Sequence, residues 1–375
     1  MGDERARRLT SGESWADFCD TLRCAGDIVL RESATDLERA EGFRYLTRLT
    51  RSSLERFVEN SEIYRPRVRD TPWRVSIAIQ SPDQDHPLIE LDGDADYRIR
   101  GTRGTVNYAS FLALAGRIPA DAGTADLGGD PEAALASFDP TDFRATGFLS
   151  VHDLDIEPDG SFIITLSQHE QPRNWLRLEP ATSFIMIRQT FLDRATERPM
   201  QLTVERIDPE PVRPISSADM AVALAKTGQN IVGTTARFLG WATSLAHQPN
   251  ELRTIGGNYA NAGGSPDHLM YFGYWEIAAG EALVITARLP DNDHWNFQAC
   301  SWWLENFDNY EDGRGYTTKR TARVEADGTV ILVLAHRDIG VGNWIDLFDH
   351  TRGTMNLRIV HPRGDATITV EKRVY

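Results

Sequence analysis

The chain opens with two apolar stripes at helical spacing. Trp15, Phe18, Leu22, Ala25 and Val29 recur three and four residues apart, and Ser14 with Asp17 reads as a capping-box start. A second helix is predicted from Thr35, with Glu38 at the box position, running towards Asn60 with Phe43, Leu46, Leu54 and Phe57 on its apolar face. The pair reads as a helical hairpin packed on the β-domain that follows.

From Arg74 the period shortens to two. Val75, Ile77 and Ile79 alternate with small or polar residues. Strand-like runs continue through Tyr97–Arg100, Val106–Leu114, Phe162–Leu166, Phe184–Gln189 and Leu202–Ile207. Asp159-Gly160 between two such runs predicts a hairpin with a type I′ turn. Helix returns at Ser216, with Asp219 at the box position, and runs to about His247. A Gly/Asn-rich stretch, Gly256 to Gly264, reads as a linker or a lid, and strands resume from Tyr271.

The second half repeats the first. Asp159-Gly160-Ser161-Phe162-Ile163-Ile164 aligns with Asp327-Gly328-Thr329-Val330-Ile331-Leu332, Asn174-Trp175-Leu176 with Asn343-Trp344-Ile345, and Arg188 with Arg358. Short strands joined by hairpin turns lack the helical crossovers that a parallel sheet needs. The expected fold is therefore mainly β with added helices: two related antiparallel β-sandwich or jelly-roll-like domains from an internal duplication. The division is a helical hairpin over 1–61, a first β-domain over 62–212, a linking helix and loop over 213–265, and a second β-domain over 266–375.

Composition narrows the classes of partner. A net charge of −15 over 375 residues repels phosphate backbones and anionic headgroups, so nucleic acid and membranes are not expected partners. The basic run Arg65-Pro66-Arg67-Val68-Arg69 reads as a solvated loop. Three cysteines without CxxC spacing, no apolar leader and no apolar run of membrane length predict a cytoplasmic protein.

The succession YRIRGTRGTVNY, PDGSFIITLS, NWLRLEP, IRQTFLDRATERP, HWNFQAC, DGTVILVLAHRDIGVGNWID and LRIV resembles the bacterial family called domain of unknown function 1214, often joined to domain of unknown function 1254. The resemblance implies a β-rich fold with a jelly-roll-like C-terminal domain. It implies no reaction.

Two constellations carry candidate chemistry. His336-Arg337-Asp338, a glycine-containing loop and Asn343-Trp344 place an acid/base, a cation, a carboxylate and an amide at the end of a strand. The segment matches a kinase catalytic loop letter for letter. No Gly-rich phosphate loop, strand lysine or DFG segment accompanies it, so the match is accidental. The second constellation is aromatic: His294, Trp295, Phe297, Trp302, Trp303 and Tyr310, with Trp295 and Phe297 on one strand face and Asn296 and Gln298 on the other.

The resulting expectation is a cofactor-independent enzyme of the lyase or hydrolase type, acting on a small, partly apolar organic molecule in a cleft near the C-terminal β-domain. His336 serves as acid or base, Asp338 orients it, and Arg337 or Arg358 binds an anionic group. Trp295, Trp303, Asn343 and Trp344 line the ligand. The rival reading is a non-catalytic sugar- or lipid-binding protein. A third reading is an assembly component that forms a homo-oligomer through the helical hairpin. No metal ligands are assigned, since His294, His336, Asp338, Asp349, His350 and His361 lack diagnostic spacing. Asp92, Asp94 and Asp96 lack the glycine and glutamate of a calcium loop.

Overall fold

In a computed structural model of the chain, the described residues are 2–60, 62–70, 79–116, 144–254, 263–307 and 313–375. The expected strand at Val75 and Ile77, most of the Gly256–Gly264 stretch and Tyr310 lie outside them. The chain is mainly β, with two β-sandwiches and added helices.

The helices are α1 (Gly2–Thr10), α2 (Glu13–Glu32), α3 (Asp36–Leu54) and α4 (Ser217–Ala246). The start of α3 follows the sequence: the Thr35 hydroxyl accepts from the Glu38 amide, and the Glu38 carboxylate accepts from the Ala34 amide. Ser216 and Asp219 close a full capping box on α4. The start of α2 departs from expectation. Its cap is Gly12 at a φ of 84°, not Ser14, because α1 delivers the chain in a left-handed turn that glycine adopts without strain.

The first β-domain contains β1 (Gln84–Asp85), β2 (Leu88–Glu90), β3 (Tyr97–Thr102), β4 (Tyr108–Ala115), β5 (Arg144–Ser150), β6 (Ser161–Ser167), β7 (Trp175–Arg177), β8 (Thr182–Thr190) and β9 (Gln201–Arg206). One sheet runs β1-β8-β4-β5, with β2 also on β8, and the other runs β7-β6-β3-β9. The second domain contains β10 (Arg253–Thr254), β11 (His268–Glu276), β12 (Glu281–Arg288), β13 (His294–Cys300), β14 (Tyr316–Thr318), β15 (Val330–Ala335), β16 (Asn343–Asp346), β17 (Arg352–Val360) and β18 (Thr367–Val374). Its sheets run β10-β11-β17-β13-β14 and β16-β15-β12-β18.

These orders are the same path traced twice. β7-β6-β3-β9 maps on β16-β15-β12-β18, down to the parallel pairings of β6 with β7 and β15 with β16. The hydrogen bonds repeat as well. Asn174 exchanges bonds with both backbone groups of Asp155, and Asn343 does the same with Arg323. The Trp175 indole donates to the Ser167 carbonyl, and the Trp344 indole to the Ala335 carbonyl.

The turns before β6 and β15 are also copies, but not of type I′. Only the glycines, Gly160 and Gly328, take positive φ, at 85° and 83°. Their amides bond back to the Glu157 and Glu325 carbonyls, and the Glu157 and Glu325 amides reach Ser161 and Thr329. This is a type I turn closed by a glycine bulge; the one extra residue leaves the aspartates in ordinary backbone space.

Each sandwich fills its interior from alternate strand positions. The second is packed by Trp275, Leu283, Ile285, Trp295, Phe297, Leu332, Leu334, Leu357 and Ile359. Burying each such side chain contributes about 1.5–3 kcal/mol. The first is packed by Ile99, Phe111, Phe162, Ile164, Leu166, Ile185 and Ile187.

The helices sit mainly on the second β-domain, and the helical turn that continues α3, Glu55–Glu59, reaches the first, where Arg56 pairs with Glu90. α1, α2 and α3 pack on α4, and their shared core includes Met270, Phe272, Tyr274, Trp302, Trp303 and Leu304 of the second. The reason lies in which side chains are large and buried. Gly42, Tyr45, Leu46 and Leu49 form the inner face of α3, which leaves Phe43 exposed, and Trp15 is exposed on α2. Polar latches fix the docking: Arg352 to both Glu38 oxygens at 2.7 and 2.8 Å, His350 to Glu41 at 2.8 Å, and Arg48 to Glu305 at 2.8 Å. Arg69, expected on a solvated loop, is also mostly enclosed, beside Glu55.

Candidate functional site

Antiparallel register places opposite residues on one face, so the outward face of the β11-β17-β13 sheet can be read in rows. His268, Val360 and His294 form the first, Met270, Arg358 and Asn296 the second, Phe272, Asn356 and Gln298 the third, and Tyr274, Thr354 and Cys300 the fourth. An outward face is ordinarily wet. This one is buried throughout: His294, Gln298 and Asn356 are fully enclosed, and Asn296 and Arg358 nearly so. The helices cover the Tyr274 end, and Val360 joins the core of the first domain at the other.

Between these covers runs the segment 79–86, which leads into the first domain. Asp83 bonds to His294 Nε2, to the Ser81 hydroxyl and to Asn296 Nδ2 at 2.9 Å. The Gln84 carboxamide oxygen accepts from Arg358, and its nitrogen donates to Thr190. The Ile79 carbonyl accepts from Gln298 at 3.1 Å and Arg358 at 3.4 Å. Ile79 makes these bonds at a φ of 59°, which a β-branched residue rarely adopts and which costs about 1–3 kcal/mol.

The first domain contributes Arg188, the duplicate of Arg358, from β8, where it stands opposite Ser110 of β4. Arg188 donates to the Gly263 carbonyl at 2.8 Å. Burial first, then the fields of both arginines, holds His268 and His86 well below the ordinary histidine range, so both imidazoles are neutral. Burial acts to raise the Asp83 carboxyl, but His294, Ser81 and Arg358 outweigh it and hold Asp83 below the usual carboxylate range.

Several polar atoms of this face have no hydrogen-bond partner among the described residues. They are both ring nitrogens of His268, both carboxamide atoms of Asn356, Asn296 Oδ1, Gln298 Oε1 and His294 Nδ1. Each buried, unsatisfied group costs about 1–3 kcal/mol. Such a concentration on one sheet face is chemistry that a polar ligand would satisfy.

Of the residues predicted from sequence, Arg358 lies at the centre of this site. The others lie elsewhere. Trp295 points to the sandwich interior. Trp303 is buried against the helices and donates to the Glu38 carbonyl at 2.7 Å, so it anchors α3 and lines no wall. Asn343 and Trp344 make the duplicated backbone bonds described above, and Trp344 packs on the far sheet with Val333 and Ala335.

His336 follows β15 on that far sheet, so the core of the second domain and the β11-β17-β13 sheet separate it from the Arg358 face. Asp338 is exposed and caps the Gly340 amide, and Arg337 lies over the Tyr375 ring. The sequence reading missed Asp83, Gln84, His86, Arg188, His268 and Asn356. The available signal was alternation: a β13 strand with His294, Asn296 and Gln298 on its supposedly wet face has no charged residue there, unlike an exposed strand such as β18.

A solved structure of an uncharacterized protein from Burkholderia cenocepacia is 35% identical to this chain. It covers 98% of this chain and 99% of its own, with a TM-score of 0.88. The chain belongs to the family of that protein. The VPA0106 protein from Vibrio parahaemolyticus is 11% identical over 96% of this chain and 99% of its own, with a TM-score of 0.47, and that likeness is carried no further. No family model matches the chain, and no curated protein matches it.

Proposed function

We propose that this protein is an enzyme of the lyase or hydrolase type acting on a small, partly apolar organic anion, such as a carboxylate, held on the buried polar face between the two β-domains. The observation that carries the reading is the unsatisfied set on His268, Asn296, Gln298 and Asn356, which occupies the row of Arg358 and the rows on either side of it. Arg188 and Arg358 supply the positive field for the anion, and Met270 and Phe272 give the apolar surface beside it.

The acid–base pair in this reading is Asp83 and His294. Asp83 fixes Nε2 of the ring, and Nδ1, which has no partner among the described residues, is the position for proton transfer. Kinship with domain of unknown function 1214 is part of the same proposal and rests on the segments quoted above. The test is a thermal-shift screen of small mono- and dicarboxylates against apolar and sugar controls, with mass spectrometry of each stabilising mixture. A carboxylate that stabilises the protein and is converted, with turnover about 10²-fold or more lower in His294→Gln, supports the proposal. Stabilisation without conversion leaves a binding protein, and stabilisation by sugars alone overturns the reading.

A further inference from the structure

A second cluster lies outside that face and draws on both domains. His152 sits in the short helical turn Val151–Asp153 after β5, Asp293 directly precedes β13, and His361 directly follows β17. His152 Nε2 lies 2.6 Å and His361 Nδ1 2.9 Å from the same Asp293 Oδ2. The three donor atoms all lie within 4.8 Å of one another. Asp293 Oδ1 accepts from Arg363 at 2.8 Å, and the Asp293 carbonyl accepts from Asn107 at 3.2 Å, which fixes the carboxylate from behind. The rings are steered too: Tyr108 stacks on His361 and tilts against His152, and His361 holds a φ of 49° to bring its ring there.

We infer that His152, Asp293 and His361 form a site for a divalent transition-metal ion. Two imidazole nitrogens and one carboxylate oxygen converging on a point is a donor set that zinc and its neighbours bind, with further coordination positions left to water. The alternative occupant is protons. The two ring centroids are 4.7 Å apart, so two imidazolium ions there would repel each other while sharing one carboxylate oxygen. A single cation binds both neutral rings and the carboxylate together. Arg363 on the other oxygen then orients the ligand, as partners behind metal-bound carboxylates do. The partly exposed side chains of His152 and His361 give the ion a route in from solvent.

The experiment is a titration of the chelator-treated full chain with Co²⁺, followed by visible absorption, and with Zn²⁺, followed by calorimetry. One equivalent should bind, with ligand-field bands for cobalt. His152→Gln, whose side chain is about half exposed and leaves the fold intact, should weaken binding at least about tenfold, as should His361→Gln. Exposed His169→Gln should leave affinity unchanged. No binding by the wild-type chain, or equal affinity in the wild type and both cluster variants, overturns the assignment.

Discussion

The Trp303 indole lies so close to Gly42 that a methyl group on that glycine would come within 2.7 Å of the ring, while the indole nitrogen holds the Glu38 carbonyl one turn away. Val29 of α2 presses on the same spot, and an added carbon would meet it at 2.6 Å. Gly42→Ala should therefore destabilise the protein by about 1–3 kcal/mol in a denaturant titration, despite alanine's better helix propensity. A neutral or stabilising result would mean that α3 does not dock on Trp303 in solution.

The latches on either side of that contact titrate in opposite senses. Burial disfavours the charged form of His350, but Glu41 outweighs it and raises the His350 pKa. Its contribution is therefore complete below the ordinary histidine pKa of about 6.5 and is lost as pH rises through the raised value. Burial likewise opposes ionisation of Glu38, and Arg352 outweighs it, so the pKa is depressed. Its contribution is complete above the ordinary glutamate range and is lost as pH falls through the depressed value. Stability measured against pH should fall on both sides, and Glu41→Gln should flatten only the alkaline limb.

Arg352→Ala should cost more than an exposed ion pair would. It leaves the Glu38 carboxylate, 4% exposed, with one amide partner, and a buried pair broken on one side typically loses about 3–5 kcal/mol. Chemical denaturation of Arg352→Ala beside Arg173→Ala, which breaks pairs on the surface, gives the comparison.

His268 offers a test in which stability and function separate. Its two ring nitrogens have no hydrogen-bond partner among the described residues, and it is held neutral, so His268→Leu should be neutral or stabilising in the ligand-free protein by up to about 1–3 kcal/mol. The same change should abolish stabilisation by carboxylates. His336→Ala, on the far sheet, should leave that stabilisation unchanged. Loss of the response in His336→Ala with retention in His268→Leu would move the site back to the strand end predicted from sequence.

The duplication was legible because turns and clamps depend on a few residues with unusual backbone demands. Asp-Gly and Asn-Trp recur at matched places because Gly160 and Gly328 must take positive φ, and because Asn174 and Asn343 bond a neighbouring backbone. Asn343 and Trp344 stand out in sequence for the backbone bonds they make. The polar face was not legible, because nothing local tells a strand face turned to water from one turned to another domain. Arg188 and Arg358 come from different domains yet both act on His86 and His268, and residues over 200 positions apart make the Asp83–His294 pair. The helix docking was hidden for the same reason: the stripe on α3 was visible, its partner was not.

The latches between α3 and β17 also set an order of events in synthesis. Glu38 and Glu41 leave the ribosome some 300 residues before Arg352 and His350, and the α4 surface on which α1–α3 pack emerges midway. The first sandwich has all its strands by Arg206 and can close while the rest is still being made. The apolar stripe carrying Tyr45 and Leu49 has to wait through that interval, so the nascent chain carries an adhesive segment ahead of a folded domain. A chaperone that holds α2 and α3 until α4 has emerged would shorten that exposure.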